Sequence, residues 1–406
     1  MENKKLKIGI NASFLRKPHT GIGQVSANFL RTLSTLRVEG ASNSSDSKRP
    51  MGFKFILYLE EELPKGMILP KNFKTRIFLP VWKRDDLIRK IWWEKFKLPC
   101  QVKKDKCDVF LSLYQCPTIL KKIKHLMIVH DIVPDLFPDY LDNARKEIYW
   151  RLTKRAIKRA DKIVTVSKNT EKDLIKKWKI PAEKITPNYI DADNIFKKLQ
   201  SRSEISRVLH EYQLKPGYIL AGGGYEKRKN VESVVRAYKT LLERNKKENF
   251  SSAFPRLVIY GKILPTRLSL ALDIKKILKK LNLTEHVFLL EEVPQKDMPA
   301  IFSGASFFVY PSYYEGFGLP VLEALSMGKP VITSKTSSLP EVGGDAVLYC
   351  RPDNLEDLVM VMKSLITKPE LREEMSRRAK LQAEKFSWEK FTEKVLGIIE
   401  NLKNSK

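Results

Sequence analysis

Short β-branched apolar runs alternate with longer amphipathic segments along the whole chain, and this alternation predicts βα units closing into parallel sheets. In the first half, strands are expected at Lys7–Asn11, Phe53–Leu59, Arg76–Pro80, Asp108–Leu113, His125–His130 and Lys162–Ser167. Helical patterns fall between them at Gly23–Arg37, Asp85–Leu98, Asn143–Arg159 and Asn169–Trp178. A second series starts after Gly217, with strands expected at Tyr218–Ala221, Arg256–Tyr260, His286–Leu290, Phe307–Tyr310, Val331–Ser334 and Ala346–Tyr349. These runs are continuously apolar, as strands covered on both faces should be. The fold class is therefore α/β. The 406 residues suit two domains, with the connection between Pro187 and Gly217 and a cleft faced by strand C-termini. Trp388–Leu402 reads as a final helix, and Glu39–Pro50, rich in Ser and Asn, as a mobile surface loop.

Charge narrows the partners. Lys and Arg number 75 against 47 Asp and Glu, a formal charge of +28, which favours anionic ligands: phosphates, acidic headgroups or nucleic acid. No helix-turn-helix spacing, zinc-finger pattern or aromatic RNA-reading motif accompanies the charge, so a basic nucleic-acid-binding protein is the lesser alternative. Four cysteines, Cys100, Cys107, Cys116 and Cys350, form no CxxC pair, which points to buried thiols in a reducing compartment and to no zinc site. The N-terminus lacks the apolar run of a signal peptide, and the longest uncharged stretch, 298–314, carries two prolines, so any membrane contact is expected to be peripheral.

The most informative stretch is Tyr314-Glu315-Gly316-Phe317-Gly318-Leu319-Pro320-Val321-Leu322-Glu323-Ala324. A strand leads into a glycine-bearing loop and then a helix with Pro320 in its first turn, where a missing N–H costs nothing. The amides of Phe317, Gly318 and Leu319 are expected to point outward at the positive end of that helix, a seat for a diphosphate. Glu315 and Glu323 should avoid phosphate and accept from hydroxyls, Glu323 from a ribose and Glu315 from a sugar ring. Either carboxylate alone would read as an ordinary helix residue; the glycines, the proline and the preceding strand favour the phosphate seat.

This string, with its E-x7-E spacing, resembles the retaining nucleotide-sugar glycosyltransferases of glycosyltransferase family 4, in particular bacterial mannosyltransferase-like members that act on surface polysaccharides. Gly21-Ile22-Gly23, Val129-His130-Asp131, residues 160–167, residues 223–230 and Ser338-Leu339-Pro340-Glu341-Val342 resemble family segments in family order, so the likeness covers nearly the whole chain. It implies the GT-B fold: two facing Rossmann-like domains, an acceptor domain over 1–198 with the helix 386–406 packing back on it, and a donor domain over 199–385. It implies donor contacts from Glu323, Glu315 and residues Gly316 to Leu319, cations from Arg228 and Lys229 on the diphosphate, Gly21 and Gly23 on a loop that closes against the phosphates, and His130 beside the reacting centre.

The cations have a physical case of their own. Breaking a sugar–diphosphate bond leaves growing negative charge on the outer phosphate, and a guanidinium and an ammonium placed there stabilise it. Asp191-Ala192-Asp193 spells a metal-binding D-x-D, but no strand presents it and it reads as a turn, so no metal and no cofactor are expected. The partners implied are a nucleoside-diphosphate sugar (GDP-mannose or a UDP-sugar) and a glycan or lipid-linked acceptor, with no nucleic acid. The setting implied is cytoplasmic, peripheral on the inner face of the plasma membrane, with an anionic membrane surface as a further partner. A same-fold epimerase or a non-catalytic sugar-nucleotide binder is the other alternative. Trp92, Trp93 and Phe96 lie in a Lys- and Arg-rich stretch, 83–106, that reads as a domain helix with its tryptophans in the core.

Overall fold

The computed structural model describes residues 5–18, 20–36, 52–64, 66–78, 86–262 and 269–404. The chain divides into two compact units, one made of residues 1–190 and 387–406 and the other of 191–386.

In the first unit seven strands form one sheet: β1 (Leu6–Asn11), β2 (Phe53–Leu59), β3 (Phe73–Ile77), β4 (Val109–Ser112), β5 (Lys124–Val129), β6 (Lys162–Thr165) and β7 (Ile185–Pro187). All are parallel, in the order β3-β2-β1-β4-β5-β6-β7. The second unit holds six: β8 (Tyr218–Gly222), β9 (Leu257–Tyr260), β10 (Val287–Leu290), β11 (Ala305–Tyr310), β12 (Val331–Ser334) and β13 (Leu348–Cys350), parallel in the order β10-β9-β8-β11-β12-β13. Each sheet is doubly wound, so its order reverses once, between β1 and β4 in one unit and between β8 and β11 in the other. Crevices for ligands form outside strand C-termini at such reversals.

The apolar runs become cores for the reason that predicts them. Ile219, Ala221, Leu257, Ile259, Phe307 and Val309 lie sealed between the helices Val231–Glu248 and Leu355–Thr367 and their neighbours. In the first unit Met127, Val129, Ile163, Trp150 and Trp178 form one cluster and Ile56, Tyr58, Trp93, Leu98 and Phe110 another. The last helix, Trp388–Asn404, belongs to the first unit: Phe391 meets Phe29 edge-on at 6.1 Å, and Asn188 Nδ2 donates to the Phe391 carbonyl.

Several expectations need correction. The third strand is Phe73–Ile77 rather than Arg76–Pro80, because an edge strand with an exposed face carries Lys and Arg where an apolar run was sought. Ile185–Pro187 pairs with β6 although it ends in proline, which an edge strand tolerates. The connection before Gly217 carries a helix, Arg202–Glu211, capped by Ser201. The helical pattern from Asp86 continues to Lys104 through a π turn at Trp93–Lys97, which turns both Trp93 and Glu94 inward. Trp93 is core, Trp92 half-buried and Phe96 exposed. Cys100 is exposed, since it falls on the outer face of that helix; the other three thiols are buried. The loop expected at Glu39–Pro50 lies outside the described residues, as do Asp85 and Arg37.

Candidate active site

In the second unit β8 runs into Gly222, Gly223 and Gly224, all at positive φ. At Gly222 a Cβ would overlap the Tyr260 carbonyl, so only glycine lets β8 leave the sheet this close to β9. A short 3₁₀ turn, Lys227–Lys229, follows and opens the helix Val231–Glu248. This turn is tied to the loop after β11: Tyr313 N and Ser312 Oγ both donate to the Arg228 carbonyl, at 2.9 and 3.1 Å, and Asn230 Nδ2 donates to the carbonyls of Pro311 and Pro352. The loops after β8 and β11, the two strands that flank the reversal, are thereby one assembly.

Glu315 is the centre of that assembly. Its Oε1 accepts from Tyr310 Oη at 2.7 Å and Ser312 Oγ at 2.9 Å, and lies 2.8 Å from Arg228 Nη1 and 3.5 Å from Lys229 Nζ. The shortest contact from each of the four partners falls on Oε1. Burial alone would raise the Glu315 pKa, but Arg228 and Lys229, with the Tyr310 hydrogen bond, bring it down to about 2, so the carboxylate is charged throughout the ordinary pH range. Arg228 is braced on its other side by Glu226 at 3.1 Å and by the Tyr314 carbonyl, while Lys229 donates to Tyr310 Oη at 2.8 Å. The two cations expected to meet phosphate are thus not loose surface charges. They are nearly buried and held in place by a carboxylate.

The loop then enters the helix Leu319–Ser326. Ser337 Oγ accepts from Glu315 N, and Ser338 Oγ donates to the Glu315 and Phe317 carbonyls at 2.8 and 2.7 Å. Phe317 packs edge-on to Phe386. Gly318, the N-cap, stands at φ 114° with Leu339 within 2.9 Å of where a Cβ would be. The amides of Gly318 and Leu319 donate to no acceptor among the described residues, which leaves the positive helix end open to an anion.

Glu323 sits in the second turn of this helix and is buried, not solvated. Burial, then the charge of Asp193, raise its pKa to about 8 against a hydrogen bond from Gln295, so it carries a proton at neutral pH. The Tyr260 hydroxyl, electrostatically coupled to Glu323, is sealed from solvent and has no hydrogen-bond partner among the described residues.

His130, Gly21 and Gly23 belong to the first unit. His130 follows β5 and is buried; its Nε2 meets the Leu113 carbonyl at 2.9 Å. A carbonyl only accepts, so Nε2 carries the proton and Nδ1 is left as an acceptor. Burial pushes the ring pKa down to about 4, so the imidazole is neutral. Asp131 does not set this tautomer; it caps the next turn by accepting from Val133 N. Gly21 and Gly23 are not on a loop. They form the first turn of the helix Gly21–Thr35, with Thr20 Oγ1 accepting from Gly23 N, and Gly23 is required because the Lys17 carbonyl occupies the place of a Cβ. Asp191-Ala192-Asp193 is a turn, in which Asp193 caps the 3₁₀ segment Asn194–Phe196 and Asp191 pairs with Lys197.

Sequence reasoning overlooked Tyr310, Ser312, Asn230 and Gln115, whose side-chain amide oxygen accepts from His130 N. Tyr310 and Ser312 stand immediately before the glycine loop, and a polar group there that faces a carboxylate was the available signal.

Two family descriptions match the chain: "Glycosyl transferases group 1" over residues 203–382 and "Glycosyltransferase Family 4" over 58–193. The chain is 32% identical over 265 residues to O-antigen chain mannosyltransferase B of Escherichia coli, covering 65% of this chain and 66% of that one, just under two thirds of the relative's length. It is 26% identical to O-antigen chain mannosyltransferase RfbU of Salmonella typhimurium, over 89% and 91% of the two chains. Among solved structures, that of WaaG, a glycosyltransferase involved in lipopolysaccharide biosynthesis, superposes with a TM-score of 0.71 at 17% identity, over 97% and 99% of the chains. That likeness carries the GT-B fold of two Rossmann-like domains.

Proposed function

Because the chain belongs to the glycosyltransferases described by the group 1 and family 4 domains, we propose that it is a retaining transferase that moves a sugar, mannose, from a nucleoside-diphosphate donor to a hydroxyl of a glycan or lipid-linked acceptor. The O-antigen mannosyltransferases it is similar to support mannose and a place in surface polysaccharide or lipopolysaccharide synthesis; GDP-mannose is the donor we propose. The observation that carries the reading is the pair Arg228 and Lys229, anchored on Glu315 beside the open N-terminus of the helix Leu319–Ser326.

As the bond between the sugar C1 and the outer phosphate oxygen breaks, negative charge collects on that phosphate. Arg228, Lys229 and the Gly318 and Leu319 amides stabilise it where it develops, and because they are already fixed they need no reorganisation. The acceptor oxygen forms its bond to C1 on the face the phosphate leaves, and the acceptor's proton passes to a phosphate oxygen. Glu315 Oε2 accepts from a sugar hydroxyl and Glu323 binds the ribose, while the neutral His130 of the first unit keeps Nδ1 as a hydrogen-bond acceptor. The two side-chain cations take the part a metal plays elsewhere, so the transfer is metal-independent. Among the described residues no helix is long and apolar enough to cross a membrane; a cytoplasmic enzyme reaching lipid-linked acceptors at the inner face of the plasma membrane through its positive charge is the setting we propose.

The test is a thermal-shift screen of the purified protein against GDP-, UDP- and ADP-sugars, followed by measurement of slow donor hydrolysis. Stabilisation by one nucleotide sugar with release of its nucleoside diphosphate is expected; a ligand at a hundredfold excess over its Kd contributes about 2.7 kcal/mol. No response to any nucleotide sugar would overturn the reading, and release of an epimerised sugar nucleotide would replace it.

A further inference from the structure

At the opposite ends of the first unit's strands from His130 lies a groove of about 680 Å³, within the range of small-ligand pockets. Eight of the thirteen residues that line it are Lys or Arg, against 75 of 406 in the whole chain. High net charge alone does not account for that concentration.

Strand register explains how it forms. Lys7 on β1 lies directly beside Lys54 on β2, Ile56 beside Lys74 on β3, and Tyr58 beside Arg76. Residues 54, 56 and 58 alternate with their neighbours and share one face, so Lys7, Lys54, Lys74 and Arg76 all project from the same corner of the sheet. Further along the strands that face is covered by the helix Leu98–Lys104 and the residues after it, through Val102 and Cys107 against Ile56 and Tyr58. The cover ends at Lys104 and Lys106, which add two more cations to the rim.

A single carboxylate lines the groove, and it is already satisfied. Asp105 is held by Arg76 at 2.7 Å, by Tyr58 Oη and by Gln101, while Lys7 Nζ donates to its carbonyl. Lys54, Lys71, Lys74, Lys104 and Lys106 have no carboxylate within ion-pair distance among the described residues. Like charges side by side on neighbouring strands are destabilising, and a concave surface of one sign concentrates counter-ions.

We infer that this groove is a binding site for a multiply charged phosphate-bearing anion, separate from the donor seat in the other unit. Lysines placed only to keep the open edge of β3 from pairing with other strands would be spread along that edge. Here they are drawn instead from three strands, a turn and a helix end onto one cavity. The shared chemistry is two or more phosphate groups close together, as in a free polyphosphate or in clustered lipid headgroups.

The experiment uses the full chain, with inorganic tripolyphosphate as the soluble probe in calorimetric titration and sedimentation with phosphatidylglycerol-containing or pure phosphatidylcholine vesicles as the lipid arm. The double variant Lys54→Glu, Lys74→Glu is compared with Lys276→Glu, Lys280→Glu, an equal charge change in the other unit, and with the milder Lys54→Gln, Lys74→Gln should the first fold poorly. Binding at least tenfold weaker in the groove variants, and unchanged in the control, is expected. Tripolyphosphate binding alone assigns a free anion, and binding to the anionic vesicles assigns headgroups. No binding of either probe, or equal loss in the groove and control variants, overturns the site. Tripolyphosphate binding that survives the groove variants belongs to the donor seat and overturns it as well.

Discussion

Arg228 meets Glu315, far along the chain, because β8 and β11 are neighbours in the sheet, and its Nη1 lies 2.8 Å from Oε1. The carboxylate that sequence reasoning gives to the sugar is thus also the anchor of the cation meant for the phosphate. Oε1 is thereby committed to Arg228, Lys229, Tyr310 and Ser312.

Substituting Glu315→Gln removes the charge that both cations share. Breaking one member of a nearly buried ion pair typically costs about 3–5 kcal/mol. Urea unfolding should show a loss of that order, and donor hydrolysis should fall with it. If Glu315 served the sugar alone, unfolding would be nearly unchanged.

Lys229→Ala should lower turnover about 10²–10³-fold, the usual effect of removing one donor from a charge-stabilising site. Tyr310→Phe leaves the charges and removes only the hydroxyl between Lys229 and Glu315, so a smaller loss, with about 1–3 kcal/mol of stability, is expected. Steady-state kinetics on both variants give the ranking, and Tyr310→Phe falling below Lys229→Ala would contradict it.

Glu323 sets a pH dependence of known sign. Its folded pKa of about 8 lies above the ordinary carboxyl value of about 4.5, so its contribution is fully present below about 4.5 and is lost as pH rises through 8. Glu323→Gln should therefore flatten the fall in stability between those values and be the more stable protein at pH 8. Melting temperatures over that range decide it. Glu315 acts in the opposite sense: its pKa of about 2 stabilises above 4.5, and that contribution is lost as pH falls towards 2.

His130 should not titrate in an activity profile between pH 5 and 8, because burial holds its pKa at about 4. Its depressed value stabilises the fold above 6.5 and ceases to do so as pH falls through 4, an acid sensitivity that buried His125, at about 3, shares. NMR titration of the two rings is the direct measurement, and a His130 midpoint near 6.5 would contradict the burial argument.

The parallel sheets were legible because apolar runs long enough to cross a buried sheet have few other destinations. The loop from Tyr314 to Leu319 was legible because glycine and proline report backbone geometry directly. What was not legible depended on partners distant in sequence. Nothing near Arg228 reveals that its guanidinium will meet Glu315, and nothing near Glu323 reveals that Gln295 and Asp193 will surround it. Gly21 and Gly23 were read as loop glycines, whereas they open a helix and Gly23 admits the Lys17 carbonyl, a partner that the local letters do not announce. β3 escaped because an edge strand need not be apolar.

The helix Trp388–Asn404 gives the chain an order of events during synthesis. Residues 191–386 are contiguous, so all of that unit has been synthesised before Ser387 is added. The first unit, though most of it is translated earlier, lacks Phe391 to cover Phe29 until residue 391 emerges. The unit that holds residues 5–190 is therefore completed after the one that follows it in the chain, and the helix bearing Phe29 is where a nascent chain would most need a chaperone.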